Sequence, residues 1–262
     1  MNDLDGYASD ISRVADLLRQ SRSVLAITGA GISADSGLPT YRGIGGLYDV
    51  NETEDGLPIE VLLSGRTLRR APQLTWKYLA QIERACRGAR HNRAHEVLAE
   101  LESRLERMWV LTQNVDGFHH QAGSRHVIAI HGDLHELLCL ECSYRTRVPD
   151  YGNLEFPPRC PNCPSRLRPD VVLFGEMLPE SKVALLCEEL EAGFDLVLTI
   201  GTTSVFPYIA EPVRMAQRQG IPVVEINPGR SEVSACVDIR LPLRAAIALE
   251  AIWERLRGAA ER

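Results

Sequence analysis

Six short apolar, β-rich runs recur through this 262-residue chain, separated by stretches of helical periodicity, and that alternation limits the fold more than any other feature. The runs cover residues 23–28, 109–114, 126–132, 195–201, 222–227 and 238–243. Helical spacing of apolar residues fills 11–19, 74–84, 95–105, 182–190, 209–219 and 246–256. Apolar runs of this length read as buried strands, and their alternation with helices predicts a parallel sheet covered on both faces. The expected class is α/β, a Rossmann-like doubly wound parallel sheet with a smaller second domain. Ligands of such sheets gather beyond the carboxyl ends of the strands. Five polar motifs fall at those ends: residues 29–42, residues 113–116, His131-Gly132, residues 201–204 and Asn227.

Two segments interrupt the pattern. Residues 43–89 are mixed, with an acidic stretch (Glu52, Glu54, Asp55) ahead of one helix, and residues 139–169 are Pro-rich and carry four cysteines. The expected organisation is a large domain from 1–43, 90–135 and 170–262, with a helical insertion at 44–89 and a cysteine-rich module at 136–169 forming a small one.

The four cysteines are spaced C-x2-C-x17-C-x2-C as Cys139, Cys142, Cys160 and Cys163. Two close pairs at this separation match a tetrahedral zinc ribbon, in which four thiolates leave no position for substrate, so one structural zinc is expected. The competing reading is a Cys-x-x-Cys redox pair. Seven cysteines in all argue against a complete disulfide framework. Cys86, Cys187 and Cys236 are expected to be small buried hydrophobes.

A net charge of −6 and a pI near 5.7 give no reason to expect nucleic acid as a partner. No apolar run approaches the roughly 18 residues of a membrane span, and the acidic first residues lack the basic flank of a signal peptide. A cytoplasmic protein without membrane contact is expected. Of 29 basic residues only Lys77 and Lys182 are lysines, a bias attributed to base composition.

Gly29, Ala30 and Gly31 directly follow the first strand, where glycine lets the backbone turn tightly and approach a pyrophosphate. Ser33, Asp35, Tyr41 and Arg42 add polar and aromatic chemistry that a plain dehydrogenase loop does not need. Asp35 reads equally as a helix N-terminal charge. Asn114 and Asp116 have an alternative as turn residues, and Tyr41 an alternative as core. Of the histidines, His131 ends a strand at the binding edge and precedes a glycine, whereas His91, His95, His119, His120, His126 and His135 read as structural or exposed.

Taken with the motifs Thr112-Gln113-Asn114-Val115-Asp116-Gly117-Phe118-His119, His131-Gly132, Phe174-Gly175-Glu176 and the four cysteines, the loop at 29–43 closely resembles the bacterial-type sirtuin family of NAD-dependent protein lysine deacylases. The resemblance extends from about residue 21 to 256. It implies that Gly29, Ala30, Gly31 and Ser33 line the pyrophosphate loop, Tyr41 covers the nicotinamide site and Arg42 positions the co-substrate. It further implies Gln113 on the ribose, Asn114 and Asp116 at the nicotinamide end, and Gly201, Thr202, Thr203 and Asn227 along the adenosine half. Cys236 and Ala245 would contact the adenine end, and Val172, Phe174, Gly175 and Glu176 would pair with an extended acyl-lysine peptide. His131 would be the catalytic base, helped by Asn114 and Asp116. NAD would be consumed, giving nicotinamide, O-acyl-ADP-ribose and free lysine.

Two departures accompany the resemblance. The Tyr-x-x-Arg pair of branches that remove acidic acyl groups is replaced by Leu79 and Ile82, so an acetyl or longer apolar acyl group is expected. Residues 201–207 also form a segment one residue shorter than usual before its proline, so the next helix must start differently, and Leu243 replaces a common glycine. Competing functions are an NAD glycohydrolase or mono-ADP-ribosyltransferase in the same pocket, a non-enzymatic NAD-binding module, and a dehydrogenase. The last wants an acidic residue about 20 positions beyond the glycines, where Asp49, Glu52 and Glu54 sit in a loop.

Overall fold

The computed structural model describes residues 4–38 and 53–258. The six expected runs form one sheet: β1 (Ser23–Thr28), β2 (Arg107–Thr112), β3 (Val127–Ala129), β7 (Leu196–Ile200), β8 (Val223–Ile226) and β9 (Ile239–Leu241). Their spatial order is β3-β2-β1-β7-β8-β9, every neighbouring pair parallel. Fully buried Val24, Leu25, Ala26 and Ile27 explain why β1 lacks polar alternation, since both of its faces are covered.

Helices α1 (Ala8–Gln20), α5 (Arg93–Glu102) and α9 (Ala245–Gly258) pack one apolar cluster against one face of the sheet. Helices α7 (Glu180–Glu191) and α8 (Pro207–Gln219) supply the cluster on the other, which Leu25, Ile27 and Val197 enter from the strands. The expected helices therefore stand, with ends moved by at most three residues. Helix α8 begins at Pro207 itself, with extended Phe206 as N-cap.

Strand β4 (Gly132–Cys139) lies between β5 (Arg145–Arg147) and β6 (Leu167–Val171) in a second, antiparallel sheet. Sequence reasoning extends the third run to Gly132 and sees no strands in 139–169. The structure ends β3 at Ala129 and starts β4 at Gly132, whose φ of +95° turns the chain where any Cβ would meet the Asp170 carbonyl at 1.8 Å. With two of its three residues exposed, β5 has no apolar periodicity to reveal it.

Short helices α2 (Ile59–Leu62) and α3 (Gly65–Arg70) lead into α4 (Pro72–Cys86), and together with the small sheet they enclose a separate core. Fully buried Trp76 anchors it, donating from Nε1 to the Leu167 carbonyl at 3.1 Å and packing on Tyr151 at 5.4 Å. The remaining helix, α6 (Phe118–Gln121), follows the β2 loop.

Candidate active site

Strand order reverses between β1 and β7, so the loops after these strands diverge and leave the crevice in which such sheets bind ligands. The Gly29 loop and the Gly201 loop form its floor. The Gly31 amide donates to the Gly201 carbonyl at 2.8 Å, and the Gly29 amide to the Ile200 carbonyl at 3.1 Å. A Cβ on Gly31 would lie 2.7 Å from Gly201 Cα. These glycines are thus required by the crossing of two loops within the protein, besides leaving the backbone bare toward a ligand. The crevice opens into a cavity of about 420 Å³ that brings together Gly29, Ala30, Gly31, Gln113, Asn114, His131, Thr202, Thr203 and Asn227.

Several of these side chains are held in place by one another. Gln113 donates to Thr202 Oγ1 at 2.8 Å, and Asn227 to the Thr202 carbonyl at 2.9 Å. Asn114 donates from Nδ2 to the Gly29 carbonyl and to Ser33 Oγ, both at 3.2 Å. Ser33 donates in turn to Asp116 Oδ2 at 2.7 Å. Burial raises the Asp116 pKa, against the opposing hydrogen bonds from the Phe118 amide and Ser33. Asn114 and Asp116 are therefore buried members of a network under the glycine loop, which a plain turn would not need. Ser33 and Asp116 stand behind the cavity wall rather than on it.

Sequence reasoning passes over two further members. His95 takes the Asn92 amide on Nδ1 at 3.2 Å within a capping box at the start of α5, and its Nε2 approaches Ser33 Oγ at 3.5 Å. His119 Nε2 pairs with Thr28 Oγ1 at 2.9 Å. Both are completely enclosed, and burial drives the His95 pKa down to about 3 and that of His119 well below its ordinary value. The readable signal was Asn92 three residues ahead of His95, the spacing of a helix N-cap.

His131 lies in the tight link between β3 and β4. Its carbonyl accepts from the Val172 amide at 2.8 Å. Nδ1 faces the Gln113 carbonyl at 2.9 Å, and because a carbonyl only accepts, the proton sits on Nδ1. That leaves the Nε2 lone pair as the basic atom. Tyr208 Oη meets it at 2.6 Å, a contact no sequence motif announces. Burial lowers the His131 pKa, the Gln113 carbonyl works the other way, and the Lys182 charge lowers it further.

The far wall of the cavity is apolar. Val172, Leu173, Phe174 and Gly175 run along it, facing Leu63, Leu79 and Ile82. Phe174 pairs with the chain at Ser64, its amide donating to the Leu63 carbonyl at 3.0 Å. Glu176 also lines this wall, its carboxylate held in a bidentate pair with Arg168 at 2.6 and 2.9 Å. Burial pushes its pKa up, but Arg168 and the Leu173 amide outweigh this and hold it below the ordinary value. Tyr78 donates to Asp55 at 2.6 Å, so it does not furnish the cavity with a polar group.

The remaining candidates lie elsewhere. Ala245 is buried at the start of α9, and Cys236 is half-buried against the second face of the sheet; neither lines the cavity. Asp35 accepts from the Ala246 amide at 3.1 Å and pairs with Arg244 at 2.6 Å, which makes it a helix N-terminal charge. Tyr41 and Arg42 fall outside the described residues. The expectation that the isolated cysteines are all buried is corrected for Cys187, which is exposed on the outer side of α7, while Cys86 and Cys236 are half-buried in apolar surroundings.

Cys139, Cys142, Cys160 and Cys163 converge with their sulfurs within 4.8 Å of one another. Sulfurs of a tetrahedral site with Zn–S near 2.3 Å stand about 3.8 Å apart. Two of the separations are 3.5 Å (Cys139–Cys163) and 3.6 Å (Cys142–Cys160), far beyond a disulfide and close to that spacing. In each knuckle an amide two residues on, Glu141 or Asn162, donates to the first sulfur at 3.4 Å, as suits a thiolate. The four residues fit a structural zinc with no open position.

Comparison with known proteins agrees with this geometry. The profile described as "Sir2 family" matches residues 29–207. The chain is 51% identical over 240 residues to the NAD-dependent protein deacylase 2 of Pseudomonas aeruginosa, covering 90% of this chain and 93% of that one. It is 37% identical over 260 residues to the NAD-dependent protein deacylase of Thermococcus kodakarensis, covering 94% and 96%. Among solved structures, a Sir2 homologue–NAD complex superposes with a TM-score of 0.84 at 32% identity, covering 94% of each chain. A Sir2 complex with a deacetylated p53 peptide and 3′-O-acetyl ADP-ribose gives 0.83 at 27% identity, covering 93% and 97%. With its doubly wound sheet, its four-cysteine knot and relatives matched over nearly their whole length, this chain belongs to the Sir2 family.

Proposed function

We propose that this protein removes acyl groups from protein lysines at the expense of NAD. The observation that carries the reading is the placement of one basic atom, His131 Nε2, with its Tyr208 partner on the wall of a cavity between the glycine loops and an apolar peptide edge. NAD, as consumed co-substrate, supplies the ADP-ribosyl group that accepts the acyl group and loses nicotinamide. The glycine loop, Gln113 and Asn227 would hold it, with Ser33, Asn114 and Asp116 fixing the nicotinamide end of the crevice. His131 would take the proton of a ribose hydroxyl at Nε2, its imidazole kept neutral by burial and aimed by the Gln113 carbonyl. Val172, through its carbonyl, and Gly175 would pair with the extended substrate backbone, while Phe174, whose amide and carbonyl are taken by Leu63 and Gly65, would flank it. Leu63, Leu79 and Ile82 would exclude water from the acyl chain, which favours acetyl or a longer apolar group over a succinyl carboxylate left without a partner.

Zinc would be held by the four cysteines as a folding element, away from the chemistry. The core under α4 and the small sheet, separate from the clusters on the two faces of the parallel sheet, supports the division into a large NAD-binding domain and a small domain built from 44–89 and 136–169. No helix among the described residues is long and apolar enough to cross a membrane. Free thiols and NAD chemistry support a cytoplasmic setting.

The test is a reaction with NAD and a panel of acetyl-, butyryl- and succinyl-lysine peptides, read by mass spectrometry. Nicotinamide and deacylated peptide are expected in equal amounts. NAD cleavage with every peptide still acylated would overturn the reading.

A further inference from the structure

The short segment between the Gly201 loop and α8 places a phenol on the general base. Ser204 adopts φ +53°, the single non-glycine residue with positive φ among those described, and its buried hydroxyl has no hydrogen-bond partner there. A side chain in the left-handed region costs free energy that the surrounding structure must offset. The strained turn passes the chain directly into Pro207, so Tyr208 becomes the second residue of α8 and its ring enters the cavity beside His131.

The ring is held on two sides. It stacks on Phe206 with centroids 5.5 Å apart and planes 11° from parallel, and it stands edge-on to the His131 imidazole at 82°. Because Nδ1–H of His131 donates to Gln113, the 2.6 Å contact must run from the Tyr208 hydroxyl to the Nε2 lone pair. The lone pair needed for base catalysis is therefore already occupied by a proton donor that packing keeps in place. A phenol donating in this way keeps its own lone pairs free to accept.

We propose that Tyr208 is a catalytic residue, relaying the proton from the substrate hydroxyl to His131; the inference rests on the deacylase reading. The substrate O–H bond breaks as its proton moves to Tyr208 Oη, and the original Tyr208 proton moves to His131 Nε2. The electron pair of the broken bond stays on the substrate oxygen, which bonds to the acyl carbon as the π pair between that carbon and the lysine nitrogen moves onto the nitrogen, the group that later leaves as free lysine. Tyr208 ends as a neutral phenol and His131 as an imidazolium. Burial pushes the Tyr208 pKa up to about 12, so transfer of both protons together avoids a costly phenolate.

Tyr208→Phe in the full chain keeps the ring and its stacking and removes only the hydroxyl. The expected result is turnover slowed at least tenfold at the acyl-transfer step, with first-turnover nicotinamide release within about twofold to threefold of the parent. In mixtures of H2O and D2O the parent should give a bowed proton inventory, from two protons in flight, and the variant a linear one. The parent inventory reports whether or not the variant folds. Acyl transfer at the parental rate or faster in Tyr208→Phe, or a linear inventory in the parent, would overturn the relay. A parent that deacylates no peptide would instead overturn the deacylase reading and the relay with it.

Discussion

The Gly31 amide donates to the Gly201 carbonyl at 2.8 Å, and the two loops are so close that a Cβ on Gly201 would sit 2.4 Å from the Ile32 nitrogen. Gly201 also holds φ +58°. Gly201→Ala therefore combines a strained backbone with overpacking and should cost roughly 2–4 kcal/mol. Urea unfolding would show it as a lowered midpoint at unchanged slope, accompanied by weaker NAD binding, because this contact shapes the floor of the crevice.

The Arg168–Glu176 pair is largely buried and fixes the turn that carries the peptide edge. Glu176→Gln leaves the Arg168 charge without its carboxylate and should destabilise the protein by about 2–4 kcal/mol. The KM for the acyl-peptide should rise more than the KM for NAD, since the disturbed residues lie on the substrate side of the cavity. Steady-state kinetics with each substrate varied in turn would separate the two.

Metal analysis should find one zinc per chain. Removing it with a strong chelator should unfold the small sheet, because the four cysteines close the segment between β4 and β6. Amide exchange would then rise in residues 132–171 while β1, β2 and β7, buried in the parallel sheet, stay protected.

His131 must be neutral to act, and its pKa lies below the ordinary 6.5. The acid limb of kcat/KM should consequently reach half-height below pH 6.5, where the groups facing the imidazole are Tyr208, the Gln113 carbonyl and the Lys182 charge. Stability has its own dependence. His95 titrates near 3 in the folded protein and near 6.5 unfolded, so as pH falls between these values the unfolded chain binds the extra proton and the fold loses stability. Above pH 6.5 this effect is absent. His95→Gln should flatten the stability–pH slope in that window by roughly 1.4 kcal/mol per pH unit.

A succinyl-lysine peptide should be processed with kcat/KM at least about 100-fold below that of its acetyl counterpart, because its carboxylate would face Leu63, Leu79 and Ile82. Comparable rates for the two would mean that a cation reaches the acyl chain.

Much of this arrangement was legible because it rests on local patterns. Strands buried on both faces announce themselves as continuous apolar runs, and each polar motif followed such a run directly. Four cysteines in two close pairs also carry their geometry in their spacing. What sequence could not supply were contacts between residues far apart in the chain. Tyr208 reaches His131 across 77 positions and His119 reaches Thr28 across 91, and neither partner marks the other. The strands β5 and β6 escaped notice for another reason: their sequences, Arg145-Thr146-Arg147 and Leu167-Arg168-Pro169-Asp170-Val171, hold no apolar run to announce a strand.

The most direct test of the central claim follows the acyl group itself. A peptide carrying a 13C-labelled acetyl-lysine, incubated with NAD and the protein, should yield the label on ADP-ribose, one equivalent for each nicotinamide released. His131→Ala should abolish that product while leaving the fold intact. Label appearing only as free acetate from the first turnovers, or undiminished transfer in His131→Ala, would contradict the account.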